Sequence, residues 1–482
     1  MTMMITRKFQ AVALAAAITL TVPACGQKSG VASQVVVGGV PGQVAADGSI
    51  VPGTTAADGS AVGVPGATGG VTGGTPTGGG STTGGGSTTG GSKTTPSGTG
   101  GGGEAPPATA PRSGGGDTTG VTDTTIKVGI HAPVTGAAAI PQQSFEKAVG
   151  VYFDMVNKKG GINGRKVEVK FEDDQFRPDT ARARCKKFAE QDKVFLIIGG
   201  AGADQIDACA RYAASASVPY LSAGVHETRP GQAPLSSLST YFALSLTYEQ
   251  QTPLLARTYK ASYNGQKVAV ITADNDSLDN FHGKAVGAIK AAAGSNLAYE
   301  RRIPKNTTSD APGIAGEICR SGAKAVVWNA SPSSLLNVAK VLTCKVGFIG
   351  PGLTNGLNIV AEVGCDNIAN ARFYSPFPGM DVMRRNAEFV NAYKASNGGS
   401  APDDLGAAIY GVESLVGMIL AATGKDLSRE SFMATIGKVK QFNNGIYPPT
   451  NFSSRFGGTA MHLLRADCSK SEFVTEKVNV RP

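Results

Sequence analysis

The sequence predicts an α/β protein of two lobes, each a parallel β-sheet with helices on both faces. Three observations carry this. Strand-like and helix-like segments alternate from Ile126 onward. Some strands, such as Val194–Ile198, are continuously apolar, as strands covered on both faces are. And about 360 residues follow the low-complexity N-terminal region, more than one hydrophobic core comfortably serves.

The elements follow in order. Ile126–Ile130 alternates like a strand, and a loop runs from Pro133 to Gln143. Ser144–Lys158 carries Val149, Tyr152, Phe153 and Val156 at helical spacing and stops at Gly160-Gly161. Ile162–Arg165 turns the chain into a strand at Val167–Phe171. The cycle repeats through a helix at Ala181–Gln191, the strand Val194–Ile198, a helix at Asp204–Ser215 and a strand at Val218–Ser222. Further strands are expected at Lys267–Thr272, Ala298–Ile303, Ala325–Asn329 and Gly347–Ile349, with helices between them. Open sheets of this kind bind ligands at the carboxyl ends of their strands.

Residues 1–24 read as a secretory signal. Arg7 and Lys8 precede an apolar run from Phe9 to about Val22, too short to cross a bilayer, and the segment closes on Val22-Pro23-Ala24-Cys25. The ending resembles that of bacterial lipoproteins, which implies cleavage before Cys25 and a lipid on it. Residues 25–122 form a Gly/Ser/Thr-rich tether, roughly a third glycine, whose composition cannot offset its ordering entropy. As a flexible coil it spans about 50–60 Å.

The chain carries a formal charge of +9, and its excess sits beyond the tether. The densest patch is Arg182, Arg184, Lys186 and Lys187 on one helix, without interleaved aromatics, so a nucleic-acid partner is not expected. Setting Cys25 aside leaves six cysteines, Cys185, Cys209, Cys319, Cys344, Cys365 and Cys468, an even number in an exported chain. Six allow 15 pairings, and spacing alone does not choose among them.

Together the segments IKVGIHAPVTG, VNKKGGINGRKVEVKFEDDQFRPDTA and IIGGAGADQIDACARYAASASVPYLSAG resemble the opening lobe of the type I periplasmic-binding-protein fold. The nearest group is the leucine/isoleucine/valine-binding proteins of branched-chain amino-acid ABC importers. KVAVITADND and DDLGAAIYGVESLVGMILAA continue the likeness. The resemblance implies three chain crossings, near 244–248, 373–377 and 444–452. Within a domain of 123–482, lobe 1 would comprise about 124–245 and 375–443, and lobe 2 about 249–372 and 453–482. That division implies the disulfides Cys185–Cys209, Cys319–Cys344 and Cys365–Cys468, each inside one lobe.

The family anchors a ligand carboxylate on two lobe 1 loops and an ammonium on an acid of lobe 2. Here the first loop offers Gly202 and Ala203 where a serine is expected, and the second offers Gly224 and His226 where a threonine is expected. Gly350-Pro351 is followed by Gly352-Leu353-Thr354-Asn355, with no acid. Pro141 occupies an aromatic's place, beside Gln142 and Gln143. These two glutamines, with Tyr248, Phe281, His282 and Asn355, complete the expected ligand contacts, whereas Trp328 reads as core. The departures point away from a standard α-amino acid.

No enzyme is expected. The four histidines, His131, His226, His282 and His462, have no metal-ligand spacing, and neither a CxxC nor a GxSxG motif occurs. No catalytic residue, cofactor or metal is assigned. The sequence therefore describes a monomeric, extracytoplasmic binding protein, held to the cell membrane through Cys25, that serves ABC permease subunits by capturing a small polar ligand. A tethered ligand sensor, or a scaffold without transport, is the alternative on the same fold.

Overall fold

Residues 116–482, apart from Ala139 and Gly224, are described by the computed structural model. The expected signal, the lipid site at Cys25 and most of the tether lie outside the described residues.

Lobe 1 begins with β1 (Thr125–Ala132), α1 (Gln142–Ala148), α2 (Val151–Lys158), β2 (Lys166–Asp173), α3 (Pro178–Lys187), β3 (Leu196–Gly199), α4 (Ala203–Ser215), β4 (Tyr220–Ser222) and β5 (Tyr241–Ala243). Its five strands run parallel in the order β2-β1-β3-β4-β5. The chain then builds α5 (Tyr248–Tyr263), β6 (Val268–Ala273), α6 (Asp279–Ala293), β7 (Leu297–Ile303), α7 (Ala311–Ser321), β8 (Ala325–Asn329), α8 (Pro332–Lys340), β9 (Gly347–Pro351), α9 (Asn358–Gly364) and β10 (Arg372–Ser375) in lobe 2. It returns through α10 (Met380–Met383), α11 (Ala387–Ser396), α12 (Asp404–Thr423), α13 (Arg429–Val439) and the short pair β11 (Gln441–Phe442) and β12 (Thr450–Asn451). The hairpin β13 (Met461–Asp467) and β14 (Glu472–Val480) ends the fold.

The lobe 2 sheet departs from the all-parallel expectation. Its order is β14-β13-β10-β9-β8-β6-β7, and β13 and β14 are antiparallel. A hairpin needs only a short turn, so the chain closes the sheet edge without another crossover helix.

Burial explains the remaining strands and helices. β3, β6, β8 and β9 are buried along their whole length, consistent with helices on both faces. Trp328 is fully buried against Phe348, as a core residue should be. Burial of a side chain of this size contributes roughly 1.5–3 kcal/mol. Helix starts are capped by Thr247, Ser331, Asp403 and Ser428, whose side chains accept backbone N–H bonds. α12 is a 20-residue apolar helix packed inside lobe 1.

Four further expectations need correction. The helix expected over Ser144–Lys158 is broken, because Gly150 takes a φ of 85° and starts α2 afresh. The buried Glu413 of α12 accepts the N–H groups of Gly150 and Tyr152, so the oxygens of a distant side chain cap the new N-terminus. Second, residues 116–122 are docked rather than part of a tether. Asp117 bonds Arg429 of α13 at 2.6 Å, and Val121 bridges Ile126.

Third, the second crossing is longer than expected. Gly379 donates to Thr475 Oγ1 and Thr475 N donates to Asp381, which ties the start of α10 to β14 of lobe 2. Fourth, residues 453–457, expected in lobe 2, still follow lobe 1. Phe456 bridges Ala243 of β5, so the third crossing falls at about 457–461.

The disulfides join Cys185 to Cys209, Cys319 to Cys344 and Cys365 to Cys468. Each stays within one lobe.

Candidate functional site

The carboxyl ends of both parallel sheets face the seam between the lobes. After β3 the chain makes the loop Gly200–Gly202 and enters α4. This loop is tight. A Cβ at Gly199 would sit 1.6 Å from the Tyr220 hydroxyl oxygen, and one at Gly202 would sit 2.0 Å from Gln205 Oε1. Beneath it His131 is fixed by Asp174 on Nδ1 and the Tyr220 hydroxyl on Nε2, each at 2.8 Å.

From lobe 2, the segments after β6, β7, β8 and β9 reach the same seam. Together they enclose a cavity of about 40 Å³. Lobe 1 contributes Phe176, Ala201, Gly202, Ala203 and Asp204 to its wall; lobe 2 contributes Tyr248, Asn275, Lys305, Asn329, Ser331, Leu353, Thr354 and Asn355.

Charges meet across this cavity. Lys305 Nζ lies 3.1 Å from Asp204 Oδ2 and 4.3 Å from the centre of the Phe176 ring. Asn275 and Ser277 also donate to Asp204. Burial alone would raise the Asp204 pKa, but Lys305 and these donors outweigh it and hold the carboxyl below its ordinary value. Other bonds join the lobes around the rim. Ser333 Oγ donates to Ala137 O at 2.6 Å, Asn358 N to Asp404 at 2.6 Å and Asn280 Nδ2 to Thr228 at 2.8 Å.

Several polar atoms on the wall have no hydrogen-bond partner among the described residues. They include Asn329 Nδ2, Asn355 Oδ1 and Asn275 Oδ1. Such buried orphans are rare unless something else satisfies them. α4 also starts without a side-chain cap, leaving its first N–H groups to an acceptor from outside the helix. Two lobes that meet over a cavity with unspent donors and acceptors have the geometry of a small-molecule site.

The family model described as "Periplasmic binding protein" matches residues 125–467, most of the folded chain. The chain belongs to the periplasmic binding protein family. Among relatives, it is 26% identical over 210 residues to an "Amino acid binding protein" of Pseudomonas aeruginosa, a match covering 42% of this chain and 53% of that one, only about half the relative's length. It is 24% identical over 290 residues to the "Leu/Ile/Val-binding protein homolog 1" of Brucella abortus, covering 56% of this chain and 71% of that one. Among solved structures it resembles an ABC-transporter solute-binding protein from Rhodopseudomonas palustris BisB5, crystallised with 3,4-dihydroxybenzoic acid. That likeness has a TM-score of 0.61 at 20% identity, over 75% of this chain and 99% of the other. It supports a two-lobed α/β fold with sheets of mainly parallel strands.

On this periplasmic-binding-protein frame, the residues anticipated at the ligand site separate. Gly202, Ala203, Tyr248 and Asn355 line the cavity. Phe281 does not; it is fully buried behind Tyr248, ring centres 5.9 Å apart. His282 turns away, its Nδ1 2.8 Å from the Thr272 hydroxyl. Burial, then Arg302, lowers its pKa. His226 is wholly buried and points at Asp207, at 3.3 Å. Burial opposes ionisation of Asp207, but His226 and Arg211 prevail and bring its pKa down to about 2.

Gln142 and Gln143 are exposed on α1, with Gln142 bonded to Glu146. Helical periodicity turns their neighbour Phe145 inward instead. Gly224 lies outside the described residues. Phe176, Asp204, Asn275, Lys305, Asn329 and Ser331 were not foreseen. Asn329, at the carboxyl end of a recognised strand, and Asp204, next to Ala203 at the start of α4, could have been flagged from the sequence, whereas the others depend on how the lobes meet.

Proposed function

We propose that this protein is the extracytoplasmic, lipid-anchored solute-binding component of an ABC importer. It captures a small ligand between its lobes and delivers it to permease subunits. The observation that carries this reading is the cross-lobe meeting of Asp204 and Lys305 over a cavity with unpartnered amide groups. Family membership supports it, and so does the likeness to an ABC-transporter solute-binding protein.

The ligand is not a standard branched-chain amino acid. Ala203 brings no hydroxyl to a carboxylate, and no acid follows Pro351 to hold an ammonium. Asp204, the carboxylate nearest the cavity, is already occupied by Lys305, Asn275 and Ser277.

Mass spectrometry of small molecules released from the purified mature protein tests this directly. A bound solute should be recovered. Adding it back to stripped protein should raise the melting temperature through mass action and compact the particle in solution scattering. No ligand-dependent change across a broad metabolite screen would refute solute capture. Globomycin-sensitive processing and loss of membrane association in Cys25→Ser would test the anchor.

A further inference from the structure

A second space adjoins the cleft cavity. Ala201, Leu353 and Thr354 line both. The second is a chamber of about 100 Å³ between the carboxyl ends of β1 and β3 and the face of α12. Its walls are carbon, from Ile130, Phe145, Ile198, Phe377, Leu405 and Val412 among others.

Three ionisable residues border the chamber, but none offers it a free polar atom: the Tyr447 hydroxyl donates to Ala408 O. Both ring nitrogens of His131 are engaged, by Asp174 and Tyr220. The Glu413 carboxylate is turned to the N–H groups of Gly150 and Tyr152. A polar group placed here would lose its water and gain nothing, whereas apolar cavities of this order accept ring-sized hydrocarbons.

The cleft end has the opposite character. Asn329 is 5% exposed with Nδ2 unpartnered, and α4 presents an uncapped N-terminus beside it across the cavity. Among the described residues, the only charged ones lining the cleft cavity, Asp204 and Lys305, are paired with each other. No carboxylate is left over for a cationic group.

We propose that the site takes an amphipathic molecule with a compact apolar body, a ring or a branched chain, and a planar oxygen-acceptor head without an ammonium. The body fills the chamber and the head meets Asn329 and the start of α4. Carboxylate and amide heads share this chemistry. The assignment rests on the solute-capture reading above and specifies its ligand class.

The test uses the mature chain, stripped of ligand, in calorimetric titrations and melting curves. The probes are 4-methylpentanoate, 4-methylpentanamide, benzoate and L-leucine, which is 4-methylpentanoate with an α-ammonium. At least one of the first three should bind tenfold or more tightly than leucine, and the acid–amide comparison identifies the head. Leucine binding as tightly as all of them would overturn the assignment. Ala201→Phe and Leu353→Trp obstruct the junction from opposite lobes, and each should weaken the best probe at least tenfold. Unchanged affinity in whichever variants fold would also overturn it. A co-purified solute that is polar throughout would refute this ligand class while leaving solute capture intact. No ligand from these probes or a broad screen would remove both.

Discussion

Asp404 places a carboxylate at the seam between the lobes, where it accepts the backbone N–H of Asn358. Burial, with Asp403 adding to it against the Asn358 bond, raises its pKa from 3.8 to about 7. The folded protein thus keeps a proton that the unfolded chain releases. This contribution to stability is full below about pH 3.8 and disappears as the pH rises through 7. Glu413 acts in the same direction, raised by burial from 4.5 to about 8. His462, lowered by burial from 6.5 to about 4, opposes them between those two values. Asp404→Asn retains an acceptor for Asn358 but cannot ionise. Calorimetry should find its melting temperature close to the parent's below about pH 3.8 and increasingly above it as the pH rises to 7. Parallel pH profiles for the two proteins would contradict this account.

A second residue-scale prediction concerns Asp117. Arg429 is nearly buried, and besides Asp117 its guanidinium bonds the carbonyls of Val194 and Phe195. Asp117→Ala leaves part of that buried cation unmatched and should cost about 1–3 kcal/mol in urea unfolding. No loss of stability would mean that residues 116–122 add nothing to the fold.

At the scale of elements, sequence patterning revealed what is local. The strand at Ala325–Asn329 coincides with β8, and the βα alternation through lobe 1 is visible as changes of hydrophobic period. Three features were hidden because they depend on residues far apart in sequence. The break at Gly150 requires Glu413, 263 positions later. The tie between α10 and β14 requires Thr475. The late third crossing requires Phe456 to find β5. The same cause hid half of the site. Gly202, Ala203 and Asn355 lie on loops that follow recognisable strands, but Lys305 matters only because closure brings it to Asp204.

The disulfides give the prediction at this scale. Cys365–Cys468 spans 103 positions and fastens the end of α9 to the turn after β13, whereas Cys319–Cys344 spans 25. If restriction of the unfolded chain dominates, the larger loop stabilises more, by about 4–5 kcal/mol against roughly 3. Paired Cys→Ser variants at each bridge, compared by urea unfolding, should show that order. The reverse order would assign the effect to native packing.

The whole molecule is two stiff bodies joined by three strands of chain. Where the first and third crossings meet, Gly458 lies so close that a Cβ would fall 2.1 Å from Leu246 N and Ser245 C. Gly458→Ala should therefore force the crossings apart and shift the balance between open and closed forms. Solution scattering would show it as a smaller ligand-induced compaction than in the parent. Equal compaction would mean that this contact does not govern the hinge.

The docking of residues 116–122 has a mechanical consequence. Asp117 is held by α13, and Gly120 packs against the start of β3, at the end of the lobe 1 sheet opposite the cleft. Tension arriving from the N-terminal side is therefore taken up by lobe 1 alone. Neither the crossings nor the cleft lies on that load path, so a pull applied at residue 116 would leave the energetic cost of swinging lobe 2 unchanged.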